Sequence, residues 1–192
     1  KMLGLDGVAG ITFNDASAQG TSALSAGRVP VAKMPVGAVL QVQSMIMTTT
    51  TSYSGTTPAD TGLSITITPT FATSKFFLIF NTSVGGTTAV TSVGFNFVRN
   101  GTNIGQGTAA TNSGTQNFSG MCGIFNTSHN AAMCMQYLDS PATSSAITYK
   151  VQWATQNGYT FYLNRGYASF NVDANPYSSG YTTNLTVMEI AA

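Results

Sequence analysis

Short apolar runs alternate with hydroxyl and amide side chains along most of this chain from residue 37 onward. Residues 63–69 place an apolar side chain at every second position, which is the period of a strand with one buried face. Residues 93–99 alternate in the same way and end at Asn100-Gly101. Because both of these residues tolerate positive φ, the dipeptide predicts a type I′ hairpin. Residues 75–80 form an almost unbroken apolar run, which predicts a strand covered on both faces.

The same patterns predict further strands at 39–47, 102–106, 117–125, 131–138, 146–154, 161–163 and 184–190. Polar turns such as Asp139-Ser140-Pro141 and Asn157-Gly158 connect them. No stretch has a convincing helical period. About ten short strands joined by polar turns predict an all-β fold, most naturally a jelly-roll β-sandwich.

Residues 1–35 differ from the rest, because they are punctuated by glycine and rich in small polar side chains. Such a segment buries too little apolar area to fold alone. We expect an extended N-terminal arm or stem that orders against partner chains, with a flexible linker as the alternative. Residues 36–192 then form the jelly-roll domain. Because residue 1 is Lys rather than Met, we expect the chain to be a processed product or a fragment.

Charged residues make up only 7% of the 192 residues, against roughly a quarter in typical soluble domains. The seven basic residues are scattered, so no phosphate-tracking patch and no nucleic-acid partner is predicted. No apolar stretch approaches the roughly 20 residues of a spanning helix, so membrane insertion is not predicted either. The scarcity of charge predicts instead that much of the surface is hidden in an oligomer.

Cys122 and Cys134 flank a segment that resembles a hairpin with its loop near Ser128. A symmetric register about that position places the two cysteines opposite each other, close enough for sulfur contact. Two reduced, buried cysteines are the favoured interpretation, and a disulfide is the alternative. Two cysteines and one histidine are too few for a structural zinc site, so no metal is predicted.

Residues for an active site are scarce. His129 is the only histidine and lies in a predicted loop, without a Gly-x-Ser-x-Gly motif in the chain. The six acids are spread out, and Asp139 with Asp173 is the only pair that could be named for glycoside hydrolysis. We therefore predict that the chain is not an enzyme and has no catalytic residues and no cofactor.

Aromatic rings crowd the last third of the chain, with Asn, Ser and Gly between them. Tyrosine offers a rigid contact area with a hydroxyl at its tip, and this mixture suits sugars as well as proteins. Packing in the core or at a subunit interface is the alternative for each ring. The segment 171–181 contains Pro176 and Gly180, which favour an exposed loop. The candidate receptor contacts are Asn171, Asp173, Asn175, Tyr177 and Tyr181.

Several short segments of this sequence resemble segments in the C-terminal domains of bacteriophage tail fibres. They are 35–42 (PVGAVLQV), 97–105 (FVRNGTNIG), 137–141 (YLDSP), 145–152 (SAITYKVQ) and 185–190 (LTVMEI). Upstream, 10–15 (GITFND) followed by Gln19 resembles a stem motif that precedes such domains. The resemblance implies a trimeric jelly roll similar to those of C1q and tumour necrosis factor, with the last strand near the three-fold axis. The resemblance does not identify any binding residues in this chain.

The expected function is that of a virion structural protein: a homotrimeric fibre tip that binds a glycan or protein on the bacterial host. Residues 1–35 would contact other virion proteins. One alternative is a capsid decoration protein or head fibre anchored to the shell by that arm. A glycan-degrading tailspike is a third, which would need a cluster of carboxylates at a subunit seam.

Overall fold

A computed structural model of the chain describes residues 11–12, 18–19, 31–88, 91–108, 116–124, 130–166 and 180–192. These residues form strands and two short 3-10 turns, at Val31–Lys33 and Gln156–Gly158. The strands are β1 (Ile11–Thr12), β2 (Ala18–Gln19), β3 (Val39–Met47), β4 (Thr51–Tyr53), β5 (Ala59–Ile67), β6 (Lys75–Gly86), β7 (Thr91–Arg99), β8 (Thr102–Ile104), β9 (Gly120–Ile124), β10 (Ala131–Asp139), β11 (Ile147–Thr155), β12 (Phe161–Leu163) and β13 (Thr183–Ile190).

The domain is a sandwich of two antiparallel sheets. The six-stranded sheet has the order β3-β13-β6-β12-β4, with β10 also paired to β6. The five-stranded sheet has the order β5-β11-β7-β8, with β9 also paired to β7. β1 and β2 pair with each other, so the predicted arm contains a small two-stranded element.

The strand order is that of a jelly roll. The eight main strands in chain order are β3, β5, β6, β7, β9, β10, β11 and β13, and successive strands lie in opposite sheets except for β7 and β9. The first, eighth, third and sixth are neighbours in one sheet, and the second, seventh, fourth and fifth are neighbours in the other. This arrangement confirms the predicted all-β jelly-roll β-sandwich. It is common to jelly rolls generally and does not single out those of C1q and tumour necrosis factor.

The core lies between the sheets and is built from the alternate positions of each strand. Trp153 stacks on Tyr53 with ring centroids 5.7 Å apart, and Phe95 lies 5.3 Å from Phe80 across the sandwich. Leu63, Ile65 and Ile67 of the alternating segment are buried, as its period predicted. The Asn100-Gly101 hairpin is also confirmed, with φ of 47° and 86° at the two residues.

Two sequence-based expectations need correction. The segment around the cysteines is not a symmetric hairpin, because β9 pairs with β7 in one sheet and β10 pairs with β6 in the other. Cys122 is buried, Cys134 is exposed, and both are free thiols. The run in β6 is fully buried only on its inner side, since Phe77 and Ile79 on the outer side are half-buried.

Two strands of the six-stranded sheet are each interrupted. β12 and β13 both pair antiparallel with β6, β12 at 84–86 and β13 at 75–81, so they are successive halves of one strand. Their neighbours β4 and β3 are related in the same way. Residues 164–182 are therefore an insertion in the middle of a central strand.

Candidate functional site: the outer face of the six-stranded sheet

The outer face of the six-stranded sheet carries large apolar side chains. A row of four such residues crosses β3, β13, β6 and β10, because each is the register partner of the next: Val42, Met188, Phe77 and Leu138. We call these four residues the apolar row. Val42 is 55% exposed and Leu138 is 49% exposed. A row of large apolar side chains that remains exposed on a single subunit indicates a surface that contacts another molecule.

The positions around the apolar row are uncharged. On one side Ile190 pairs with Val39, and Val39 is itself exposed. On the other side the next two rows hold Ser44, Thr186, Ile79 and Gln136, then Ile46, Asn184, Asn81 and Cys134. In these four strands, all within the described part, Lys75 at the end of β6 is the one charged side chain outside the buried positions. Lys75 lies beside Ile190 at that end, and the central rows carry no charge that would oppose the approach of another copy.

One end of this face receives the N-terminal arm, and we call it the base end. The Gly37 amide donates to the Ala191 carbonyl at 2.8 Å, and the Ala191 amide donates to the Ala38 carbonyl at 2.9 Å. The chain therefore enters the domain beside the end of its last strand. Just upstream, Val31, Met34 and Val36 are exposed, the last by 83%.

A buried carboxylate fixes the base end. Glu189 is fully buried and accepts hydrogen bonds from the Gln41 amide at 2.5 Å, the Thr70 amide at 2.6 Å and the Thr70 hydroxyl at 2.8 Å. Burial acts to raise the pKa of the Glu189 carboxyl, but hydroxyl, amide and backbone donors outweigh it and lower the pKa. The carboxylate thus ties β3 and the β5–β6 connection to β13.

The insertion leaves the sheet at the opposite end, which we call the far end. Gly85 is the partner of Tyr162, which lies between the buried Phe161 and Leu163 and so faces outward. A Cβ atom on Gly85 would lie 2.7 Å from the Arg165 carbonyl oxygen, so the chain after β12 passes directly over the outer face. β6 spans both ends, roughly 36 Å at ~3.3 Å per residue.

A polar cluster holds the two ends of the insertion together. Asn164 is buried with φ of 59°, and its amide donates to the Met47 and Thr49 carbonyls at 2.7 and 3.0 Å. Its side-chain oxygen accepts from Thr183 at 2.6 Å, and the Tyr181 amide donates to its carbonyl at 3.3 Å. The insertion is therefore anchored where it begins and where it ends.

Arg165 lies at the start of the insertion, on the outer face. Its guanidinium carbon is 4.5 Å from the centroid of the Tyr162 ring, a cation–π contact. Its Nε is buried without a hydrogen-bond partner. Arg165 was not predicted as a site residue from the sequence. A single basic residue becomes recognisable only when the strand pairing places it beside an aromatic ring.

The predicted receptor contacts fall almost entirely outside the described residues. Asn171, Asp173, Asn175 and Tyr177 fall in 167–179 and His129 falls in 125–129, and both ranges lie outside the described residues. Tyr181 is described: it is half-buried, and its hydroxyl accepts a hydrogen bond from the Asn130 amide at 2.9 Å. The connection before β10 and the end of the insertion therefore meet at the far end. Among the other clustered rings, Phe161 is a core residue and Tyr159 is 39% exposed.

Asp139, one of the two acids named for hydrolysis, has a structural role. Arg99 donates to its two carboxylate oxygens at 2.7 and 3.0 Å, and the Tyr149 hydroxyl donates at 2.8 Å. Burial, with the bond to Asp139, raises the pKa of Tyr149, so its phenol stays protonated. Because Asp139 belongs to the six-stranded sheet and its partners to the other, this cluster joins the two sheets.

Neither metal ligands nor membrane-spanning helices occur in the described ranges. No group of three or more His, Cys, Asp or Glu side chains there could hold a metal ion. Of the residues that the structure describes, none belongs to a helix long and apolar enough to cross a membrane.

Comparison with known proteins finds a weak structural similarity. No protein-family model matches the chain, and no curated protein matches it with significance. Among solved structures, that of the infectious bursal disease virus Gt strain is similar, with a TM-score of 0.41 and 12% identity. The alignment covers 80% of this chain and 39% of that one. The chain thus spans well under half the length of this neighbour.

Proposed function

We propose that this chain is a virion structural protein that forms the homotrimeric tip of a bacteriophage fibre and binds the surface of a bacterial host. One observation carries the proposal. An outer face with an exposed apolar row and no charge in its central rows lies between an arm at the base end and an anchored insertion at the far end. In this proposal the outer face serves assembly, the arm serves attachment and the insertion serves recognition.

The outer face suits the burial of one subunit against another. Full burial of such a side chain contributes roughly 1.5–3 kcal/mol, and each residue of the apolar row, being about half exposed or less, would contribute at most about half of that. The surrounding Ser, Thr, Asn and Gln side chains can form hydrogen bonds across a seam without the cost of burying charge. Closed symmetry then repeats the same contact in every subunit. The phage-fibre resemblance supports three subunits, with β13 near the axis.

The two ends suit a fibre tip. The arm enters at the base end, where residues 1–35 would continue into a stem or contact other virion proteins. The insertion leaves roughly 36 Å away, where three copies would face outward together. Three weak sites on one rigid trimer gain avidity for a repetitive surface such as a glycan coat, or for a surface protein.

Light scattering on the purified chain tests the assembly. We expect about three times the 20.0 kDa of the single chain under native conditions. A mass of one chain at micromolar concentration would contradict the trimer. Adsorption of the fluorescently labelled protein to host cells then tests recognition, with the same protein lacking residues 167–179 as the matched control.

A capsid decoration protein, or head fibre, is the second candidate. The exposed Val31, Met34 and Val36 beside the base end favour it, because they form an apolar surface where an arm could contact a shell. Immunogold electron microscopy of intact particles separates the two locations. Label at the fibre ends supports the fibre tip, and label over the head supports decoration. Particles without label would contradict any virion role.

A further inference from the structure

We infer that Arg165, stacked on Tyr162 at the far end of the outer face, forms a subsite for the carboxylate of an acidic sugar. This inference deepens the proposed function and rests on it, because it names the chemical class of the receptor group. The site is distinct from the apolar row, from which Gly85 and its neighbours are separated by roughly 26 Å along β6.

The stacking orients the guanidinium. The backbone of Tyr162 is paired on both sides, with Gly85 of β6 and Ser52 of β4, so the residue that carries the ring has a fixed place in the sheet. A guanidinium 4.5 Å from the ring centroid lies against the aromatic face and leaves its N–H edges for a planar acceptor. Carboxylates match those edges with two parallel hydrogen bonds.

The backbone of Arg165 is fixed as well. The Arg165 carbonyl lies over Gly85, where any larger residue would displace it. Asn164, directly before it, is buried and bonded to the backbone at Met47 and Thr49. A ligand therefore meets a side chain whose position is already restricted, which lowers the entropic cost of binding.

Arg165 lacks an acidic partner within the described ranges. The ion pairs there are Arg99 with Asp139 at 2.7 Å and Lys150 with Asp60 at 2.8 Å. The Arg165 Nε has no acceptor although it is buried. The terminal N–H groups of the guanidinium, and not the buried Nε, are therefore those that a carboxylate would bind.

The chemistry around Arg165 favours a carboxylated sugar over a phosphate. In the described part of the far end it is the one basic side chain, which suits a single negative charge better than a dianion. Sugar hydroxyls need small polar partners, and the Tyr181 hydroxyl and the Asn130 amide lie at the same end. Uronic acids combine both groups in one residue.

Calorimetric titration of the intact protein with an oligosaccharide of glucuronic acid tests the subsite. The carboxyl-reduced oligosaccharide, which is neutral but otherwise alike, is the matched ligand. We expect the acidic probe to bind at least about tenfold more tightly, as a charge-assisted paired hydrogen bond predicts. Arg165→Gln should abolish that preference, Arg165→Lys should lose most of it, and Tyr162→Phe should keep it because the ring remains.

Equal affinity for the two oligosaccharides, or an unchanged preference in Arg165→Gln, would overturn the inference. Asp173 follows Arg165 by eight residues in the sequence and carries the same acceptor group as the probe, so Asp173→Asn is the discriminating variant. Probe binding that appears only in Asp173→Asn would show an internal ion pair instead of a subsite. If Arg165→Gln still adsorbs to host cells as the parent does, the subsite fails and the proposed function stands. If the parent protein itself does not adsorb to host cells, the proposed host recognition is wrong, whatever the titrations show.

Discussion

The outer face of the five-stranded sheet is mainly Ser, Thr, Asn, Gln, Lys and Asp, with Met121 in β9 as an exposed apolar exception. That of the six-stranded sheet presents Val, Met, Phe, Leu and Ile among its Ser, Thr, Asn and Gln side chains. On the first face Thr66 lies 2.8 Å from Thr148, hydroxyl to hydroxyl, and Lys150 lies 2.8 Å from Asp60. On the second face the corresponding central positions are Phe77 and Met188. The inner faces of both sheets are alike, so only the outward positions distinguish a solvated surface from a contact surface.

Both sheets contain an interrupted strand, and the two insertions follow different courses. In the five-stranded sheet, β8 and β9 pair with successive parts of β7, and residues 105–119 separate them. Phe118 packs over Gly94, and Gln106 donates to Asn96 at 3.0 Å, so this insertion covers part of its own sheet. The insertion after β12 instead begins over Gly85 at the far end, away from the apolar row. One outer face is thus partly covered by its own chain, and the other offers its apolar row to a second subunit.

Of the changes considered, a charge placed in the apolar row should have the largest effect on assembly. Val42 is 55% exposed, so Val42→Lys should leave the single subunit folded. In an assembly each buried, unpaired ammonium costs several kcal/mol. Three copies should therefore lower the association constant more than about a thousandfold. We expect light scattering to show the mass of one chain.

The matched control for Val42→Lys is Thr66→Lys, which adds the same charge to the outer face of the other sheet. Thr66 is exposed and loses only its hydroxyl contact with Thr148. We expect the oligomeric mass to be unchanged. Dissociation of both variants would show that added charge, and not its position, controls assembly, and the distinction between the faces would fail.

Two carboxylates give a smaller contrast between the sheets. Glu189 is fully buried, whereas the Asp60 side chain is 43% exposed. The pKa of Glu189 is lowered below its ordinary value of 4.5, since its donors outweigh desolvation. The pKa of Asp60 is lowered mainly by its hydrogen bond to Lys150. Both stabilise the fold above their unfolded pKa and lose that contribution as pH falls through the folded pKa.

Urea unfolding between pH 3 and pH 7 measures this contrast, in the Val42→Lys background so that dissociation does not contribute. Glu189→Gln should cost about 1–3 kcal/mol at pH 7, because donors around a buried site lose a charged acceptor. It should also flatten the decline in stability below about pH 4.5. Asp60→Asn should change little, because solvent screens an exposed pair. An acid decline that persists unchanged in Glu189→Gln would contradict the assignment.

The fold was largely predictable because its signals are local. Alternation of side chains located most of the strands, and Asn100-Gly101 fixed one turn. The cysteine hairpin was wrong because the local pattern around residues 122–134 does not show that β9 and β10 pair in different sheets. β4 was missed because its residues, Thr51, Ser52 and Tyr53, contain one large apolar side chain and so show no alternation.

The site was less predictable because it depends on register. Residues 75–80 form an apolar run without alternation, which was the one sequence feature that indicated apolar side chains on both faces of a strand. The run does not show which residues of the neighbouring strands lie beside it on the outer face. Val42 and Leu138 join Phe77 only through pairing across more than 30 positions of sequence. Arg165 and Glu189 were missed for the same reason. The receptor contacts at 171–177 remain a prediction, since they lie outside the described residues.

The smallest expected effect concerns the polar outer face of the five-stranded sheet. Lys150→Gln removes the surface ion pair with Asp60, in which both side chains are about 40% exposed. Exposed pairs contribute about 0.2–1 kcal/mol, and salt screens them. We expect urea unfolding to show a loss in that range at low salt, which shrinks in about 1 M salt, while light scattering shows an unchanged mass. Dissociation on so mild a change would mean that the polar face is also buried between subunits. An unchanged mass would leave the apolar row as the face on which assembly depends.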